Sequence, residues 1–588
     1  MKKILIVISI LALICATFGS CKKRDPEYDL NEDAEHYPEY DSNEDAEHDT
    51  ITGLEFTLSK DGEYYAVTGL GTYNKTVLKI PKKYKGKPVK EIGSSAFRNA
   101  SKITEVVIPS SITVIRKNAF TRCKELTTIE IPDSVKVIET EAFSFCTNLS
   151  DVHIGKNTKS IENGVFRGCE NLLTVHINEE NPYFNAIDGV IYSEDGTRLL
   201  YYAQGKTNIT FQIPDGVTEI CEYAFYYLKN LTSVTVPGSV TTLNDNSFTH
   251  CYGITTLVLN DGLVKIGDFA FEYCNSLEAL SIPKTVTEIG SHAFRGCWKM
   301  TSLTFETTET DNLSIGNSAF AECRAIEELQ IPEGVSYIGN SAFSSCEAIE
   351  SVTVPTTVKY VGRSAFAYCK SLTSATLPSG LEQVEESTFK DCYALTNVTL
   401  PSSITYIGTK AFYGCRKLKN VTLPENLTTI GDSAFEYCSS LTSISIPLSV
   451  SEIGVRSFYG CRLIENIYLS SSLTSLGEYA FADCISLSVL TLDSSISEIP
   501  EYAFSGCTSL LELTLPDSVT MIRKSAFYGC SSLVKIVLPE GIERIYSEAF
   551  GKCTSLSEVY YLGTEETKAN IYIGPDLEEL LQAEWHYI

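Results

Sequence analysis

A solenoid of stacked, mostly β coils joined by short turns or 3₁₀ segments is the fold class this 588-residue sequence predicts, on three observations. First, a 23-residue phrase repeats. Leu395-Thr-Asn-Val398-Thr-Leu400-Pro401, Ile404-Thr-Tyr-Ile407-Gly408 and Ala411-Phe412-Tyr-Gly-Cys415 are followed by Leu418-Lys-Asn-Val421-Thr-Leu423-Pro424, Leu427, Ile430-Gly431, Ala434-Phe435 and Cys438. A fixed period of this length marks units that bury their apolar faces on one another. Second, the Phe of the phrase recurs nineteen times, from Phe97 to Phe166 and from Phe225 to Phe550, which predicts nineteen coils. Third, the apolar positions 1, 4 and 6 of Leu395–Leu400 suit a strand with positions 4 and 6 inward and positions 3 and 5 outward.

The chain opens with a different signal. Lys2 and Lys3 precede an apolar run from Ile4 to Ala16, the pattern of a secretory signal peptide over residues 1–20. The run is too short to span a membrane as a helix. Phe18-Gly19-Ser20-Cys21 resembles a bacterial lipobox, with Phe where Leu is usual, and makes Cys21 the expected lipid-attachment residue. Plain secretion is the alternative. Residues 22–50 hold twelve acids and three bases with almost no aliphatic side chains, so 21–50 is expected to be a disordered acidic tether.

Residues 51–92 read as an N-terminal β cap. Leu54-Glu-Phe-Thr-Leu58 and Tyr64-Tyr-Ala-Val67 flank Asp61-Gly62 as a hairpin, and Thr76–Pro81 imitates a coil strand. The solenoid proper is expected over 93–555. In each coil Pro401 and its equivalents stop the strand, for want of an N–H. Ile404 and Ile407 then point back inside, Gly408 allows a turn, and Phe412 fills the opposite side. The period breaks between Phe166 and Phe225, where 178–213 is expected to insert a hairpin around Glu194-Asp-Gly196, packed as a flap on the solenoid edge or serving recognition. A three-residue break near Thr307–Asp311 predicts a bulge. Beyond Leu556 the period dissolves into an aromatic C-terminal cap with a short helix, residues 556–588.

Of the 20 cysteines, seventeen sit three residues after a Phe, from Cys123 to Cys553. Exported chains favour disulfides. Neighbouring rungs of a ladder would nevertheless carry parallel Cβ vectors that oppose closure, and seventeen is odd. Buried free thiols are therefore expected, since Cys packs as a small apolar residue.

The L-x-x-L-x-L core of the phrase is that of a leucine-rich repeat. Its 23-residue form, ending Ile-Gly-x-x-Ala-Phe-x-x-Cys, resembles the BspA-like, or Treponema pallidum-type, leucine-rich repeat family over residues 51–588. The resemblance implies a surface-exposed or secreted bacterial protein. It also implies host matrix partners such as fibronectin or fibrinogen, because several family members are adhesins.

The sequence has 47 Lys and Arg against 74 Asp and Glu, a net charge of −27, which disfavours nucleic acid and anionic lipid as ligands. It carries no His-Glu-x-x-His, Gly-x-Ser-x-Gly or phosphate-binding Gly-Lys-Ser/Thr loop, so no catalytic residue and no cofactor is assigned. One cluster suits a metal. Glu130, His153 and His176 occupy position 5 of three successive coils, and Asp151 shares the face of His153. Two imidazoles and a carboxylate fit Zn²⁺ or another divalent ion; the alternative is polar residues at solvent-facing positions. The same column continues with small hydroxyl groups, among them Thr353, Thr376, Thr399 and Thr422, interrupted by Tyr468 and Tyr560. These Thr residues and Tyr468 are the candidate ligand contacts, although β-propensity alone also places Thr there. The expected function is a lipid-anchored, monomeric surface scaffold that binds protein, with adhesion to host matrix or cells as the role. A periplasmic or envelope scaffold for bacterial protein or glycan is the alternative.

Overall fold

The computed structural model describes residues 47–48, 52–306 and 312–588. The signal peptide, Cys21, the tether up to residue 46 and the expected bulge at Thr307–Asp311 lie outside the described residues. The chain divides into two units, Met1–Glu47 and His48–Ile588; all that follows concerns the second.

Each coil has three sides. The L-x-x-L-x-L stretch forms the first as a short strand with outward and inward side chains alternating, as in Ala279–Ile282 and Val489–Leu492. Strands of successive coils pair in parallel and in register, so that Ala279, Leu280, Ser281 and Ile282 face Ser302, Leu303, Thr304 and Phe305. The Ile-x-x-Ile stretch forms the second side. Tyr406–Ile407 is itself a two-residue strand, paired in parallel with Gln383–Val384 below and Thr429–Ile430 above. The sequence places these Ile residues inside but gives no hint of a second sheet. It exists because the buried backbone groups need partners, which only the neighbouring coils supply.

The third side is the turn that carries the Phe. Residues two before and two after it are left-handed, Lys410 at φ 57° and Gly414 at φ 71° in one coil. That conformation costs an L-residue roughly 1–2 kcal/mol. Coil-to-coil bonds offset it: Lys410 N–H donates to Asp432 O at 2.9 Å, Phe412 to Ala434 at 2.8 Å and Gly414 to Glu436 at 2.8 Å. Inside, the Phe rings form a stacked column with centroids 5.5 Å apart from Phe320 to Phe343 and 5.6 Å from Phe389 to Phe412.

The cysteines stand beside that column. All eighteen described cysteines are free and buried. Each of the seventeen ladder thiols donates to the carbonyl of the Phe one coil below, Cys415 Sγ to Phe389 O at 3.2 Å for example. Burial pushes the Cys369 thiol up to about 12 and holds Cys415 well above the usual thiol range. Since the thiolate is the nucleophile, a disulfide-exchange reagent should leave these eighteen thiols unlabelled in the folded protein and label all of them in denaturant; rapid labelling before unfolding would refute their burial.

The motif glycine has a different cause from the one its sequence context implies. Gly408 is not left-handed, so a permissive turn does not require it. A Cβ there would meet the backbone of the coil below, 2.8 Å from Glu386 N and from Val384 O; at Gly339 it would lie 2.6 Å from Gly316 C and 2.7 Å from Asn317 N. Backbone cannot step aside as a flexible side chain does. Gly339→Ala should therefore cost about 2 kcal/mol, within the range for overpacking, read as a lower urea midpoint at unchanged slope. Several coils that lack this Gly spread a polar side chain there instead, such as Arg116, which bonds Glu139 at 2.6 Å and Glu91 at 2.9 Å.

At the N-terminal end Glu55–Leu58 and Tyr65–Gly69 form the antiparallel hairpin, and Tyr65–Gly69 pairs in parallel with Lys87–Ile92, the first strand of the second sheet. Leu54, Phe56 and Val67 cover the open end of the core. At the C-terminal end the helices Glu565–Lys568 and Glu578–Gln582 lie between strands that continue the coil. Tyr572–Ile573 pairs with Arg544–Ile545, and Glu584–Tyr587 pairs with Glu558–Tyr561. The period thus dissolves in sequence but persists in the backbone for one more coil, with Leu577 and Leu580 replacing the Phe-turn residues and Trp585 standing over Val559 on the strand side.

The insertion is not a flap on the edge. Phe184–Ile187, Val190–Ser193 and Arg198–Tyr202 form an antiparallel meander, the last two strands around Glu194-Asp-Gly196, and Arg198–Tyr202 then pairs in parallel with Glu219–Ile220. It is a layer of the second sheet, with side chains committed on both sides. Ile191, Tyr201 and Ala203 join a core running from Leu54 to Val175, while Val190, Tyr192, Leu199 and Tyr202 join a core running on to Leu580. The outer strand face has no such layer: Thr174–Ile177 ends one parallel sheet and Thr210–Gln212 starts the next.

Candidate functional site

The exposed face of the first sheet carries every candidate contact residue, because strand alternation sends positions 3 and 5 outward. Thr353, Thr376 and Thr399 are exposed and stand directly over one another on three paired strands. Thr422 is also exposed, but that three-stranded sheet stops at the coil of Thr399, and the Thr422 coil is bridged only to the next one, from Asn420 to Ser443. Tyr468 stands apart from these four. It is 45 % exposed, its hydroxyl donates to Asp493 Oδ2 at 3.2 Å, and it borders a depression of about 630 Å³ that includes Val489, Thr491 and Leu511. Val489 and Leu511 are each about half exposed, so this part of the face is more apolar than the Thr column.

At the other end of the face, Asp151–Ile154 is the centre strand of a three-stranded sheet between Thr128–Ile131 and Thr174–Ile177. The register sets His153 opposite both Glu130 and His176, and Asp151 opposite Thr174. Three of the four candidate ligands come together. The donor atoms of Asp151, His153 and His176 all lie within 4.8 Å of one another. Glu130 stands in register with them and is not part of that group. The imidazoles of His153 and His176 stack with centroids 4.6 Å apart and planes 20° from parallel. Asp151 serves both, with Oδ2 2.8 Å from His153 Nε2 and Oδ1 3.3 Å from His176 Nε2.

Thr174 is the member that the sequence did not single out. Its hydroxyl donates to Asp151 Oδ1 and fixes the carboxylate rotamer. The signal was present, since Thr174 lies 23 residues after Asp151 and so directly above it. Partial burial pushes the Asp151 carboxyl up; the Thr174 hydroxyl and the two imidazoles outweigh that and hold it below the usual carboxylate range.

Beside this cluster the missing layer of the strand face leaves an open polar depression of about 630 Å³, lined by Asn148, Ser150, Asn171 and Asn230 among others. On the Phe-turn side the same seam is closed by contacts over 59 residues. Asn163 donates to Glu222 at 2.7 Å, and the Arg167 guanidinium lies 4.5 and 4.4 Å from the ring centres of Tyr223 and Tyr226 while bonding Glu141 at 3.0 Å. Further along, Tyr413, Tyr437 and Tyr459 pack edge to face, an aromatic edge with Lys390 over Tyr368 and Tyr413. Among the described residues no helix is long and apolar enough to cross a membrane.

No curated protein matches the sequence. Solved structures that resemble the chain include a leucine-rich cell surface protein from Faecalibacterium prausnitzii A2-165, at 19% identity over 90% of this chain and 97% of that one, with TM-score 0.24. A leucine-rich repeat protein from Bacteroides ovatus is 21% identical over 91% and 98%, with TM-score 0.28. The T. pallidum leucine-rich repeat protein is 16% identical over 64% and 92%, with TM-score 0.18. The sequence profile described as the BspA type leucine-rich repeat region matches residues 74–187, 200–313, 313–442 and 428–557. With matches through most of its length and the repeat built as that pattern requires, the chain belongs to the BspA-type leucine-rich repeat family.

Proposed function

We propose that this leucine-rich repeat scaffold is exported, anchored through lipid on Cys21, and uses its outer strand face to bind a protein at the bacterial surface, with host matrix or host cells as the target. The observation that carries the proposal is the face itself. Strands in strict register present a continuous column of short hydroxyl side chains, Thr353, Thr376 and Thr399 at its centre, with the more apolar Tyr468–Leu511 patch along the same side. Small outward groups let a partner approach the sheet along many coils, and a half-exposed Tyr is the type of residue enriched in interface cores. The acidic tether supports the reading, because a solvated spacer would hold such a face clear of the membrane.

The test is binding of the lipid-free chain to immobilised fibronectin, fibrinogen, collagen, mucin glycans and peptidoglycan at several salt concentrations. Saturable, micromolar binding to a host protein, weakened at least tenfold by Thr376→Arg with Thr399→Arg, is the expected result. Both residues are exposed, so the variant keeps the fold. Binding to peptidoglycan alone would move the function to an envelope scaffold, and host-protein binding indifferent to the double substitution would move the contact off this face.

A further inference from the structure

We propose that Asp151, His153 and His176 form a binding site for Zn²⁺ on the strand face, independent of which macromolecule the scaffold binds. Three features of the geometry carry this. The first is that the donors converge from two adjacent strands. His153 and His176 are register partners, and Asp151 lies two residues before His153 on the same face. Zinc binds imidazole nitrogen and carboxylate oxygen at about 2.0–2.2 Å, so donor atoms in a tetrahedral set lie about 3.3 Å apart. The observed 3.3 Å from Asp151 Oδ1 to His176 Nε2 meets that spacing, and the 2.8 Å from Oδ2 to His153 Nε2 is within reach of it. The two rings stack with planes 20° from parallel, so both must turn about their own side-chain bonds to aim at one ion, and being more than half exposed they have room to do so.

The second feature is support behind the ligands. A metal-binding carboxylate is usually hydrogen-bonded by a neighbour that fixes its orientation. Thr174 does this for Asp151, and the paired backbones of the two strands hold all four residues in place.

The third is the donor chemistry. Two nitrogen donors out of three favour a borderline cation such as Zn²⁺ over Ca²⁺ or Mg²⁺, which take oxygen sets. Among the described residues these are the only His, Cys, Asp and Glu side chains that gather in this way. Three protein donors leave a coordination position open to solvent, as in zinc sites that exchange a ligand.

The experiment compares the full chain with a His153→Ala/His176→Ala variant, both stripped by chelator, in Zn²⁺ titration calorimetry and by the visible spectrum of added Co²⁺. His36, His48 and the other acids are common to both proteins, so the difference reads this site alone. The parent is expected to bind one more equivalent of Zn²⁺ than the variant, to show a Co²⁺ ligand-field spectrum without thiolate charge transfer, and to leave Ca²⁺ unbound at this site. Asp151→Asn should weaken binding at least tenfold, and Thr174→Val by a smaller factor. Because the side chains are exposed, the variants should unfold at the parent's midpoint; if the double variant does not, His176→Gln is titrated in its place. Equal stoichiometry and affinity in parent and variant would overturn the site, leaving Asp151 as a hydrogen-bond partner of two imidazoles and no more. Binding undiminished by Asp151→Asn would remove the carboxylate from it.

Discussion

Phe412→Ala is expected to cost about 3–5 kcal/mol, the range for removing a fully buried aromatic ring. Phe412 has no solvent exposure and sits in the ring column 5.6 Å from Phe389 and 5.2 Å from Phe435, nearly parallel to both. The rings on either side cannot close the gap, because their own backbones are pinned: Phe389 N–H donates to Ala411 O at 2.8 Å, and Phe435 N–H to Ser457 O at 2.7 Å. A cavity therefore remains, with the cost of lost contacts added to the cost of lost burial. In a solenoid each unit touches only its neighbours, so the damage should be local. Hydrogen exchange should show amides of the coils around Phe389–Phe435 losing protection while those around Phe143 and Phe527 keep theirs. An unchanged urea midpoint would place the ring outside the core, and a uniform loss of protection would mean that the array unfolds as one block.

The same column shows how far the sequence could be read. A 23-residue period specifies which positions face inward, and the inward assignments hold at Val398, Ile404, Ile407, Phe412 and Cys415. It also specifies neighbours, because a residue and the one 23 places on are stacked. That is why His153 and His176 could be paired on paper, with Asp151 beside them. What the period does not state is which backbone atom the next coil presents. The Cys415 thiol finds the Phe389 carbonyl, 26 residues back, and Gly408 lacks a side chain because the Glu385–Glu386 backbone occupies the space. Both positions were visible as repeats, and both causes lie in the neighbouring coil. The second parallel sheet was hidden for a related reason. Two-residue strands such as Tyr406–Ile407 have no alternation of their own to detect, and exist only as rungs. Glu130 marks the limit in the other direction: the register sets it opposite His153 just as it sets His176, and Asp151 pairs with both flanking strands, yet it is the Asp151 carboxylate, bonded by Thr174, that meets the two imidazoles.

The insertion is where period-based reasoning ends, and it yields the second large effect. Tyr201→Ala combined with Tyr202→Ala should cost about 3–5 kcal/mol at each ring and split urea unfolding into two transitions. The two residues are adjacent and face opposite cores. Tyr201 lies against Phe166, 5.6 Å between centroids, and Tyr202 stacks on Phe225 at 5.3 Å. Ordinary strand alternation sends them apart, and a bulge just before them sets which core each earlier residue meets. Ile191 pairs with Tyr201 and Tyr192 with Leu199, so Leu200 is left over, and the strand re-aims its side chains there. The Phe column is thereby carried across 59 residues by two tyrosines, which are the main aromatic link between the core ending near Val175 and the core running to Leu580. Stability in a linear array is a sum of unit and interface terms, and a weakened interface uncouples the blocks on either side. In the double variant, hydrogen exchange should therefore assign the two transitions to residues before and after the insertion. Tyr202→Phe is the control. The Tyr202 hydroxyl is buried with no hydrogen-bond partner among the described residues, so removing it should be neutral or stabilise by up to about 1 kcal/mol. A single transition in the double variant, merely shifted to lower urea, would mean that coupling runs instead through the strand pairing of Arg198–Tyr202 with Glu219–Ile220 and the Asn163–Glu222 and Arg167–Tyr226 contacts. Substitution of Arg167 would then be the step that separates the cores.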